Sequence, residues 1–90
     1  MNPNYLEDNM LTIKILGPGC ANCNKMEQIT RKAVSEMGFQ ADISKITDYG
    51  EIMAYPIIST PGLVVNGEVV CSGRIPTHAE VTTWLVDAQS

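Results

Sequence analysis

Two cysteines three positions apart, Cys20 and Cys23, follow Gly17-Pro18-Gly19 and open a run of helix-compatible residues. Paired thiols at this spacing have two chemistries open to them: thiol–disulfide exchange, or the binding of a soft metal ion such as Cu(I) between two thiolates. A thiol at the start of a helix faces unpaired backbone N–H groups and the positive end of the helix dipole, and both stabilise its thiolate. Cys20 is placed for that role and is expected to be the attacking nucleophile. Cys23 lies one turn further on, close enough to Cys20 for a disulfide, and begins an apolar stripe. It is expected to be the more buried, resolving thiol that attacks a mixed disulfide.

The remaining reactive or bulky side chains have plainer readings. Cys71 falls in the run Val69-Val70-Cys71-Ser72, where alternation puts Val69 and Cys71 on one face, and a buried free cysteine in the core is the expected state. The gap from Cys23 to Cys71 matches no zinc-ligand spacing, and His78, in the first turn of the last helix, is expected to be solvated. Met26, Met37 and Met53 read as core filling, as does Trp84. Tyr49 and Tyr55, flanking a short helix, are expected to be buried.

The elements that position the cysteines can be read from periodicity. Leu11, Ile13 and Ile15 alternate with Thr12, Lys14 and Leu16 and mark a strand that Gly17-Pro18-Gly19 ends. A helix over Cys20 to Met37 carries Cys23, Met26, Thr30, Ala33, Val34 and Met37 on one face, and Gly38 supplies a left-handed cap. A second strand runs through Phe39, Ala41 and Ile43 toward Ile46. Asp48 and Glu51 form a capping-box pattern for a short helix that Pro56 stops. Leu63–Val65 and Glu68–Ser72 are strands joined by Asn66-Gly67, a strong hairpin signal. Thr77 and Glu80 cap a last helix with Val81, Trp84, Leu85 and Ala88 on its apolar face. The order βαβαββα predicts an α/β fold: a parallel unit, then an antiparallel hairpin, in a four-stranded mixed sheet flanked by helices on both faces.

Composition bounds the rest. Ninety residues make one small domain, expected over residues 11–90, with residues 1–10 as a flexible N-terminal extension. The net charge is −4 and the six Lys and Arg residues are scattered, which argues against nucleic-acid binding. No apolar stretch is long enough to span a membrane. Glu7 and Asp8 stand where an export signal would carry positive charge, so a cytoplasmic location is expected. Three cysteines in a reducing compartment point to cysteine chemistry or metal binding in preference to a structural disulfide framework.

The stretch from Leu11 to Ala88 resembles the thioredoxin superfamily, and most closely the small thioredoxin-like redox-active disulfide proteins of archaea and bacteria. The resemblance rests on Ile15-Leu16-Gly17-Pro18-Gly19-Cys20-Ala21-Asn22-Cys23, on Thr60-Pro61-Gly62-Leu63-Val64-Val65-Asn66-Gly67, and on Ser72-Gly73-Arg74. It implies a thioredoxin-like fold and a protein-disulfide reductase, an electron carrier with Cys20 and Cys23 as its redox pair. It also implies a cis Pro61 packed beside the disulfide, with Gly73 nearby, so that Thr60, Pro61 and Gly73 form the substrate-binding edge. No metal or organic cofactor is required. The expected partners are proteins with disulfides and a thioredoxin-reductase-type electron donor, and the chain is expected to act as a monomer.

The departures from the family pattern bear on mechanism. Gly19 and Lys14 stand where typical thioredoxins have a tryptophan and a buried acid, so the proton of Cys23 must go to water, to Lys14 or to a neighbouring group. Ala21-Asn22 replaces Gly-Pro between the cysteines. The features by which a glutaredoxin holds glutathione are missing, which favours a protein reductase. Small soft-metal carriers share a Gly-x-x-Cys-x-x-Cys motif, but in them the hairpin follows the first helix directly. Here a strand and a helix intervene, and Thr60-Pro61-Gly62 has no role in such a carrier.

Overall fold

Alternation of aliphatic residues sets the centre of the sheet. Strand β1 (Leu11–Leu16) turns Leu11, Ile13 and Ile15 to one face and Leu16 to the other, and all four are buried, as a strand covered from both sides requires. The computed structural model describes residues 10–89, so the expected N-terminal extension falls, apart from Met10, outside the described residues. Helix α1 (Ala21–Met37) buries Cys23, Met26, Thr30 and Ala33. Thr30 fits this apolar stripe because its hydroxyl donates to the Met26 carbonyl at 2.8 Å, leaving no unpaired polar atom in the core. Gly38, at φ 71°, ends the helix with its N–H on the Ser35 and Val34 carbonyls.

Strand β2 (Ala41–Ile46) pairs parallel to β1, from Leu11 opposite Ala41 to Leu16 opposite Ile46. Helix α2 (Tyr49–Ile52) is a single turn capped by Asp48, whose carboxylate accepts the Glu51 N–H at 3.0 Å. Strands β3 (Gly62–Val65) and β4 (Glu68–Ser72) form the antiparallel hairpin. Asn66 and Gly67 turn it at φ 51° and 84°, both in the left-handed region that a two-residue hairpin demands. Asn66 also locks the hairpin to β1: its N–H donates to the Thr12 carbonyl at 2.7 Å and its side-chain oxygen accepts the Thr12 N–H at 2.9 Å. Helix α3 (His78–Gln89) is the last element among the described residues. The sheet order is β2-β1-β3-β4, with β3 antiparallel to β1. Among the described residues no helix is long and apolar enough to cross a membrane.

The two faces of the sheet are covered unequally. On one, Ile13, Ile15, Leu63 and Val65 pack with Met26 and Ala33 of α1 and with Val81 and Leu85 of α3. On the other, Leu16 and Val64 are covered by Ile52 of the single-turn α2 and, beyond it, by Tyr55 and Ile57. Helices thus flank both faces, with nearly all the helical mass on one.

Several side chains lie elsewhere than periodicity alone suggests. The β3–β4 pairing steps from Leu63 opposite Cys71 to Val64 opposite Val69, so Val70 is an extra residue in a β-bulge. Val70 and Cys71 therefore both pack with the helix-covered core, while Val69 packs on the other face. Cys71 is buried, as expected. Met26 is fully buried, but Met37 and Met53 are 40% and 60% exposed, because one is the last residue of α1 and the other is the C-cap of α2. Tyr49 is 69% exposed, since a helix of one turn turns only Ile52 inward, and Tyr55 and Trp84 are half-buried. His78 is exposed but not simply solvated: its Nε2 lies 2.8 Å from the Glu36 carboxylate near the end of α1.

Candidate active site

The strand-to-helix turn sets the two cysteines in different surroundings. Cys20 is the N-cap of α1, with extended backbone at φ −71° and ψ 167°, and it is exposed. Its Sγ accepts the Cys23 N–H at 3.3 Å, which places the sulfur among the orphan donors of the helix terminus. Cys23 opens the buried stripe and is 3% exposed. The two are joined in a disulfide, with Cα atoms 5.1 Å apart.

Gly17 brings this pair against the segment before β3. Its N–H donates to the Ile46 carbonyl at 3.0 Å, which continues the β1–β2 ladder by one residue. A methyl group at Gly17 would collide with Cys23 Sγ and would lie 3.2 Å from Cys23 Cβ and 3.9 Å from Thr60 Cβ. The Thr60–Pro61 bond is cis, Pro61 is buried and Thr60 half-buried. Gly73, exposed and at φ 78°, donates its N–H to the Pro61 carbonyl at 2.9 Å. A methyl there would meet Ser59 Oγ at 2.7 Å. Cys23, Thr60, Pro61 and Gly73 are thus linked through contacts at Gly17 and one backbone hydrogen bond.

The other candidates make contacts of their own. Lys14 points to the α2 side of the sheet, its Nζ 3.2 Å from the Tyr55 hydroxyl and 6.0 Å from the ring centre. Cys71 sits in the core, where burial pushes its thiol pKa up despite the nearby Arg74 charge. Among the described residues no three or more His, Cys, Asp or Glu side chains gather as a metal site.

Sequence reasoning missed two features here. Gly17 reads as a strand stop and as part of the motif, with no packing role, although a glycine just before a cysteine motif is itself a sign of close backbone approach. Beside Thr60 lies a cavity of about 260 Å³ lined by Tyr49, Ile52, Met53, Ile57 and Ile58, and Ile58 is 98% exposed. The uncharged stretch from Ile52 to Gly67 was the available signal for such a surface.

A helix N-terminal disulfide pair on a four-stranded mixed sheet, beside a cis X-Pro bond, defines a thiol–disulfide oxidoreductase of thioredoxin-like architecture. The family model for the thioredoxin domain matches residues 11–86. The chain is 39% identical over 72 residues to a thioredoxin of Methanothermobacter thermautotrophicus, covering 80% of this chain and 94% of that protein. It is likewise 39% identical over 72 residues to a thioredoxin of Methanocaldococcus jannaschii, covering 80% of this chain and 83% of that one. The chain belongs to the thioredoxin family.

Proposed function

We propose that this thiol–disulfide oxidoreductase reduces disulfides in target proteins, with Cys20 as nucleophile, Cys23 as resolving thiol, and Thr60, Pro61 and Gly73 as the edge that receives the target chain. The observation that carries the reading is the asymmetry of the pair: an exposed sulfur at the helix N-terminus bonded to a buried one. The Cys20 thiolate attacks one sulfur of the target disulfide and expels the other as a thiolate, which takes up a proton. Cys23, deprotonated, then attacks Cys20 Sγ and releases the second target thiol. The target gains two electrons and two protons, and the enzyme is left with the Cys20–Cys23 disulfide.

A thioredoxin-reductase-type donor returns the two electrons. The apolar surface at Ile58, Met53 and Tyr49 beside Thr60 supports a polypeptide substrate, since exposed patches of this kind mark protein contacts. The reaction takes place in the cytoplasm and the enzyme works as a monomer.

Insulin reduction, followed by turbidity with NADPH and a thioredoxin reductase or with dithiothreitol as electron source, tests this reading. Turnover well above the uncatalysed rate is expected. Failure with both electron sources overturns the reading, and one equivalent of copper in the anaerobically purified reduced protein would favour a soft-metal carrier.

Alkylation tests the assigned roles. In the reduced protein at about pH 6, iodoacetamide is expected to label Cys20 first, because helix-terminal thiols titrate from roughly 3.5 to 7.5 against about 8.5 for a free one. Cys71 should react last, its thiol both buried and raised in pKa. Equal labelling of Cys20 and Cys23, read by mass spectrometry, would contradict the roles.

A further inference from the structure

The exposed turn between β4 and α3 is held by a dense set of bonds. The Arg74 guanidinium makes two parallel bonds to Glu80, Nη1 to Oε1 at 2.9 Å and Nη2 to Oε2 at 2.7 Å. The same carboxylate accepts the Thr77 N–H at 3.0 Å, and the Thr77 hydroxyl accepts the Glu80 N–H at 3.1 Å. From the core side, the Cys71 thiol donates to the Arg74 carbonyl at 3.6 Å. The Arg74 guanidinium, and after it the Thr77 N–H, hold the Glu80 carboxyl down at about 2, so this fork is charged throughout the neutral range.

An exposed ion pair adds little to global stability. A planar two-bond fork, however, fixes direction as well as distance. The residue next to it in the chain is Gly73, whose N–H holds the Pro61 carbonyl at 2.9 Å.

We propose that Arg74 and Glu80 are positioning residues for protein substrates: their fork fixes the Gly73 turn, and through the Gly73–Pro61 hydrogen bond it holds the Thr60 backbone in place for a target strand. The proposal rests on the reading of Thr60, Pro61 and Gly73 as the substrate edge. It gives the side chains beyond Gly73 a share in target recognition, and it assigns Cys71 a place beneath the fork and none in electron transfer. Small disulfides, which present no strand, need none of this.

The test compares two substrates in steady-state kinetics: insulin, and 5,5′-dithiobis(2-nitrobenzoate), a disulfide without a polypeptide. Arg74→Met removes the fork at similar side-chain length, Arg74→Lys keeps the charge as a single point contact, and Glu80→Gln keeps an acceptor for the Thr77 N–H. For Arg74→Met the insulin KM is expected to rise on the order of tenfold, because binding shared by the ground and transition states is lost. Arg74→Lys and Glu80→Gln should show smaller rises. The kcat and the rate with the small disulfide should stay at wild-type values.

Rates that fall together for both substrates would indicate a merely structural role and overturn the proposal. Gly73→Ala separates it from the reading beneath it, with Ser59→Ala added to make room for the new methyl if the single variant does not fold. If Gly73→Ala raises the insulin KM while Arg74→Met and Glu80→Gln do not, the positioning role is wrong and the substrate edge stands. If Gly73→Ala also leaves the insulin KM unchanged, the substrate edge itself is wrong and the proposal falls with it.

Discussion

Replacing Cys20 with serine is expected to end protein-disulfide reduction, with a loss in turnover on the order of a thousandfold or more, since the reaction has no other competent nucleophile. A serine hydroxyl at the α1 N-terminus can still accept the backbone N–H that Cys20 Sγ accepts from Cys23, so the helix cap survives while the chemistry does not. Cys23→Ser should behave differently. Its Cys20 still attacks, but the mixed disulfide has no resolving thiol, and covalent adducts with cellular proteins should accumulate on non-reducing gels and dissolve on adding dithiothreitol. Cys71 does not substitute for the missing thiol, because it is buried in the helix-covered core with its thiol directed to the Arg74 carbonyl. Equal trapping by the two variants would abolish the assignment of nucleophile.

Gly17→Ala should have the second-largest effect, although it touches neither cysteine chemically. The new methyl would collide with Cys23 Sγ, and the backbone cannot retreat without giving up the Gly17 N–H bond to the Ile46 carbonyl at 3.0 Å. Overpacking of this kind costs about 1–3 kcal/mol. In the dithiol form the Cys23 sulfur is no longer tethered to Cys20 and can shift from the methyl, whereas the disulfide holds it in the methyl's path. The oxidised protein should therefore be destabilised more than the reduced one, which makes the variant easier to reduce, by about tenfold in the equilibrium for each 1.4 kcal/mol of difference. Urea unfolding of both forms, together with equilibration in glutathione buffers, measures this. Equal destabilisation of the two forms would show that the methyl is absorbed elsewhere.

The parts of this molecule legible in its sequence are those with local causes. Gly-Pro-Gly ends a strand and an apolar stripe begins at Cys23, so the helix N-terminus, and Cys20 on it, follow from neighbours within a few positions. The Asn66-Gly67 turn and the Thr77–Glu80 capping box are equally local, and both form. What escaped depends on how distant segments meet. The bulge at Val70 arises from the register of β4 on β3, and no alternation within β4 announces it. Arg74 reaches Glu80 only because the intervening turn brings them together. Residue type alone places Tyr49 and Met53 in the core, but a single helical turn has one inward position and Ile52 occupies it.

The bulge at Val70 has a bearing on aggregation. If Thr60 belongs to the edge that receives target chains, as proposed above, extended segments of other proteins must not be taken up along the sheet margins instead. A margin with an unbroken row of free N–H and C=O groups recruits foreign chains without regard to their disulfides. The margin at β4 is out of step by one residue where Val70 is inserted, so an incoming strand cannot keep its ladder past that point. The opposite margin, β2, exposes Asp42 and Lys45, whose charges an added strand would have to accommodate. On that reading, pairing with a target chain is left to the end of the sheet where the disulfide lies, and the same features that blunt the margins disfavour edge-to-edge stacking of copies of the chain.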